Sequence, residues 1–111
     1  MDEMDDKYVL EGHKPVPAKS LGEWARLYSD IKNRRVAHDH FGETRVSTVF
    51  LAIDHSWGEG PPILFETMVF GGPLDLEQDR CETWEQAEAM HKRMCERVLE
   101  AQLGITVEED K

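Results

Sequence analysis

Two stretches constrain this chain most: 45–54 (Arg-Val-Ser-Thr-Val-Phe-Leu-Ala-Ile-Asp) and 63–70 (Ile-Leu-Phe-Glu-Thr-Met-Val-Phe). Both are rich in β-branched and aromatic residues, whose side chains suit a pleated surface. The segment His55 to Pro62 between them carries the glycines and prolines of a turn. Two neighbouring antiparallel strands are predicted. A third strand is expected over 35–41, joined through a tight turn at Gly42-Glu43. A polar fourth is expected over 76–81, beyond Gly71-Gly72-Pro73, where a sheet edge would tolerate it.

Helices flank these strands. Ser20-Leu21-Gly22-Glu23 and Thr83-Trp84-Glu85-Gln86 both have the pattern in which a hydroxyl and an acid or amide three residues on satisfy free N–H groups. After the first, Trp24, Leu27, Tyr28 and Ile31 recur at helical spacing and predict a helix over 21–31, with Asn33 at its end. After the second, Trp84, Ala87, His91, Met94, Val98 and Leu99 line one face of a helix to 103 that Gly104 can end. The expected fold class is α+β, an antiparallel sheet of three to four strands flanked by an N-terminal and a C-terminal helix. A chain of 111 residues has room for one such domain, assigned to 20–104. Residues 1–19 read as an N-terminal arm anchored by Tyr8 and Leu10, because Gly12, Pro15 and Pro17 interrupt a helix or a central strand. Residues 105–111 read as an acidic C-terminal tail.

Thirteen basic against 23 acidic residues give a formal charge of −10. The acid gathers at the two ends and in 75–88, where Asp75, Glu77, Asp79, Glu82, Glu85 and Glu88 face one base, Arg80. Direct nucleic-acid binding needs a basic surface, and none is expected here. The acidic stretch has two readings. It is either a solvated surface near a helix N-terminus, or a surface that meets a basic groove on another protein as a nucleic-acid mimic would. In the second reading Glu77, Asp79, Glu82 and Glu85 make the contact. Trp57, in a Gly- and Pro-bounded loop, would add an indole anchor unless its ring folds back over the sheet end. No stretch approaches the ~20 apolar residues of a membrane helix, so no membrane partner is expected. The acidic N-terminus lacks a signal-like apolar run, and the two isolated cysteines, Cys81 and Cys95, fit reduced thiols. A cytoplasmic location is expected.

Histidine and carboxylate together are the residue types that hold a divalent metal or move protons. His38, Asp39 and His40 fall on the first strand of the sheet, Asp54 and His55 end the second, and Glu66 lies inside the third. A small metal-dependent hydrolase would use His38, His40, His55 and Glu66. The turn at 42–43 pairs His38 with Ser47 and His40 with Arg45, whereas a turn over 55–62 pairs Glu66 with Leu51. Residues 47 and 51 are then roughly 13 Å apart along the strand, too far for ligands of one ion. No metal, cofactor or catalytic residue is therefore assigned. Cys81 beside the last helix's N-terminus would be acidified by the dipole but opposed by Glu82 and Glu85. Cys95 reads as a small buried apolar group, and Met90 and Met94 as core or flank.

The same register places Val49, Leu51, Ile53, Leu64, Met68 and Phe70 on one sheet face and Val46, Phe50, Ala52, Ile63, Phe65 and Val69 on the other. Both faces are apolar, and two short helices on one side leave the second uncovered. That face is expected to be covered partly by the arm and otherwise by a second copy, making a homodimer. Helices on opposite faces would remove the need.

The run from Val46 to His55, followed by the run from Gly60 to Phe70, resembles a family of small bacteriophage and prophage proteins. Tyr8 to His13 and Thr83 to Ala89 are similar to its other recognisable stretches. The chain departs from that pattern at Ala52, Cys81 and Met90, where glycine, tyrosine and glycine are expected. The resemblance implies phage origin and life in the host cytoplasm, with no activity to carry across. With no catalytic motif present, the expected function is that of a phage-derived accessory protein. It would bind a host or phage protein without catalysis, one version being inhibition of a host nucleic-acid enzyme or defence complex. A structural or assembly role in the phage is a further alternative.

Overall fold

A computed structural model describes residues 4–56 and 60–104. Its centre is a four-stranded antiparallel sheet in the order β3 (Arg35–Phe41), β4 (Thr44–Phe50), β5 (Phe65–Phe70), β6 (Gln78–Cys81). The fold is α+β, as the alternation of strand and helix signals predicts. Phe41 pairs with Thr44 across Gly42-Glu43, and Gly42 has φ +64°, the sign a two-residue hairpin turn demands at its first central position. This turn sets the register that brings His38 opposite Ser47 and His40 opposite Arg45, as expected.

A long helix, α3 (Trp84–Leu103), lies across the sheet. Thr83 accepts from the Gln86 N–H, and the Gln86 side chain accepts from the N–H groups of Glu82 and Thr83, so the predicted capping box is complete. Gly104, at φ +66°, ends the helix. Ala87, Met90, His91, Met94 and Val98 are buried against the sheet, whereas Leu99 is exposed. The core has two adjoining parts. Val46 and Val69 meet Met94 and Val98, and Phe50, Ala52, Leu64 and Phe65 meet Ala87.

The N-terminal helix is shorter than predicted. Residues α1 (Leu21–Tyr28) end at Ser29, and Asp30 starts a separate turn, α2 (Ile31–Arg34), by accepting from the Asn33 N–H. Asn33, the expected end of the first helix, thus lies inside the second. Residues 8–17 of the arm form a hairpin of β1 (Tyr8–Glu11) and β2 (Lys14–Pro17), and Tyr8 and Leu10 pack against the core. Pro17 lies opposite Tyr8 and Pro15 opposite Leu10, while the Ala18 N–H bonds the Lys7 carbonyl. Alternation from that bond aims residues 15 and 17 outward, where a missing N–H costs nothing. The hairpin tip is pinned by His13, whose ring stacks on Trp84 at 3.8 Å.

The second strand also stops early. It leaves the ladder after Phe50 rather than at residue 54, and Ala52 stands at φ +66° with its side chain wholly buried. Only glycine enters that region at no steric cost. Leu64, assigned by alternation to the other face, joins the core because it precedes the regular part of β5. Leu76 is the second non-glycine residue with positive φ, at +69°, and is 63 % exposed. Since no packing holds it there, Leu76→Gly is expected to stabilise the chain by about 0.5–1 kcal/mol. Urea unfolding would show a higher midpoint at unchanged slope.

Candidate functional site

The sheet buries one face only. Thr44, Val46, Thr48 and Phe50 of β4 and Phe65, Thr67 and Val69 of β5 are buried, and the residues between them are not. Alternation aims Arg45, Ser47, Val49, Glu66, Met68 and Phe70 at the opposite face. Helix α3 packs on the buried side. Tyr8 and Leu10 of the hairpin and Trp24 and Leu27 of α1 pack against the same core, so the arm does not cover the second face as expected. Nor do the helices divide between the two faces.

The open face has an apolar centre and basic, aromatic surroundings. Val49 and Met68 stand at its middle. The Arg45 guanidinium lies 4.4 Å over the Phe70 ring, and the His38 and His40 rings stack at 4.8 Å. Burial, and then the positive field of Arg35, His40 and Arg45, pushes the His38 pKa down. His38 therefore contributes ring surface rather than charge at neutral pH. Arg80 Nε donates to Glu66 Oε2 at 2.9 Å.

The four residues of the hydrolase reading do not converge. His38 and His40 lie on the open face, and His55 lies beyond the end of β4, its N–H bonded to the Ile63 carbonyl. Glu66 pairs with Val49, not Leu51, because the irregular segment after Phe50 shortens the regular ladder. This brings it two residues nearer the histidines, yet its carboxylate is engaged by Arg80. Asp54 closes the loop base instead. Burial pushes its pKa up, but the N–H groups of Ser56 and Ile63 and the Ser56 hydroxyl outweigh this and hold it below the usual carboxylate value.

The proposed partner-contact residues fare differently. Trp57 lies outside the described residues. Glu77, Asp79, Glu82 and Glu85 are exposed along β6 and the start of α3. Glu77 is paired with Arg97 at 3.0 Å, and Arg93 and Arg97 line the groove beside Asp79. The acidic stretch is thus interleaved with bases from the helix. Cys81 is not acidified: burial raises its pKa to about 11, outweighing the opposing effect of the Thr83 backbone N–H. Burial, and then Asp39, likewise raises Cys95 to about 11. Neither thiol is a ready nucleophile.

One polar group was missed by sequence reasoning. His91, 5 % exposed, sits between α3 and the sheet. Its Nε2 lies 2.8 Å from Asp39 Oδ2 and its Nδ1 2.7 Å from Thr48 Oγ1, which in turn bonds Thr67 Oγ1. In the tautomer that satisfies both neighbours, Nε2–H donates to the carboxylate and Nδ1 accepts from the Thr48 hydroxyl. Both threonines are fully buried, so no substrate reaches them, and the row acts as a polar tie between helix and sheet. Two signals pointed to it. His91 falls on the apolar stripe of its helix, and the hairpin register puts Asp39 opposite Val46, on the helix side. Among the described residues, no helix is long and apolar enough to cross a membrane. No family model, curated protein or solved structure matches the chain.

Proposed function

We propose that this protein is a non-catalytic binding module that docks a partner protein on the open sheet face. The observation that carries the reading is the row Val49, Met68 and Phe70, partly exposed on a sheet whose other face packs against α1 and α3. A chain of −10 that keeps Arg45 beside an apolar centre fits a partner with acidic groups around an apolar patch. The resemblance to small phage proteins supports a host or phage protein as that partner. The narrower version, inhibition of a host nucleic-acid enzyme through residues 75–88, has less support, because Arg80, Arg93 and Arg97 stand among those acids. A second copy of the chain is the other occupant of the same face. It is the weaker fit, since two copies would bring their arginines together.

The test is capture from bacterial lysate with three forms of the chain. Met68→Glu places a charge at the centre of the face and is expected to weaken partner capture about 30-fold or more, as loss of a hot-spot residue does. The combined change of Glu77, Asp79, Glu82 and Glu85 to Ser is expected to leave capture in place. The opposite pattern contradicts the reading and moves docking to the acidic stretch. Light scattering that finds a dimer abolished by Met68→Glu assigns the face to self-association instead.

A further inference from the structure

We infer that Asp39, His91 and Cys95 form a three-ligand binding site for Zn²⁺, independent of the open face. His91 and Cys95 are four residues apart on α3 and therefore share one face of it, and Asp39 of β3 faces them across the layer. One ligand atom from each lies within 4.8 Å of the other two, with Nε2 to Oδ2 at 2.8 Å and Sγ to Oδ2 at 3.9 Å. Ligand bonds of about 2.0–2.3 Å in a tetrahedron put donor atoms about 3.5 Å apart. The three atoms bracket that spacing, so side-chain rotation suffices to close on an ion.

The donor chemistry selects the metal. A thiolate with an imidazole disfavours magnesium and calcium, and one sulfur, one nitrogen and one oxygen in a tetrahedron suit zinc. Thiolate and carboxylate together match the charge of a divalent ion, so the bound site is neutral. The outer partner is already in place. When Nε2 gives its lone pair to the metal, the ring proton sits on Nδ1 and is donated to Thr48 Oγ1, whose own hydroxyl turns to Thr67. The zinc replaces the Cys95 thiol proton, which leaves to solvent. Asp39 is 55 % exposed, so the fourth position opens to water at the sheet edge.

Cobalt(II) titration of the reduced, full-length chain tests this, because a cobalt–thiolate bond gives a near-ultraviolet charge-transfer band and tetrahedral cobalt gives strong visible absorption. The expected result is one ion per chain with both signatures, displaced by Zn²⁺. Cys95→Ser should abolish the charge-transfer band. Asp39→Asn, which keeps an acceptor for His91, should weaken binding by at least about tenfold, the low end for losing even an outer-shell partner. Cys81→Ser, altering the other thiol, should change neither. Circular dichroism of the variants in the absence of metal establishes that they are folded. A band that survives Cys95→Ser, the absence of a band at saturating cobalt, or weak binding of equal strength in all forms would overturn the site and leave only adventitious binding by surface acids.

Discussion

Phe65→Ala is expected to destabilise the protein by about 3–5 kcal/mol, the range for deleting a ring from a packed core. The Phe65 side chain is fully buried, its ring lies 5.4 Å from Phe50 and meets the edge of Trp84 at 6.2 Å, and it packs where sheet, α3 and hairpin converge. Alanine leaves a void that three elements border, and none of them can close it without moving the others. Chemical denaturation would show a lowered midpoint with little change in slope. The matching change on the other face, Val49→Ala, removes partly solvated atoms from an uncovered surface and should cost much less. Near-equal costs would mean that the two faces are buried alike, which the alternation along β4 does not allow.

His91→Ala is expected to cost about 3 kcal/mol, from a cavity together with the loss of the partner of Thr48 inside the core. Thr67→Val, which removes one hydroxyl at nearly constant volume, should cost about 1 kcal/mol. Since the two residues act through Thr48, the double variant should lose less than the sum of the single losses. A full double-mutant cycle by urea unfolding reads that difference. Strict additivity would show that His91 and Thr67 stabilise the core separately.

The strands were legible because their residues obey local rules. Gly42 fixed the hairpin register to the residue, and with it the faces of His38, Asp39 and His40. Helix α3 was legible from its caps and its apolar stripe. Non-local effects overrode the rest. A left-handed Ala52 ends β4 within a run of good strand residues, and nothing in the composition of that run announces it. Pro15 and Pro17 exclude a central strand, yet a two-stranded hairpin accepts both because alternation aims them outward. Asp39 and His91 are 52 residues apart, so the pairing of a charged strand residue with a polar helix residue emerges only when the helix is laid on a particular face. The acidic stretch looked continuous because the arginines that divide it come from the next helix, one turn apart along α3.

The most direct measurement is the rate at which each methionine is oxidised by dilute peroxide in the folded chain, read by mass spectrometry. Met68 is partly exposed on the outer side of β5, while Met90 and Met94 on the inner side of α3 are each 2 % exposed. In dilute free protein Met68 should convert well ahead of the other two, and a captured partner should slow Met68 alone. Conversion of Met68 no faster than Met90 and Met94 in the free chain would contradict the account, for it would mean that this surface is already shielded within the single molecule.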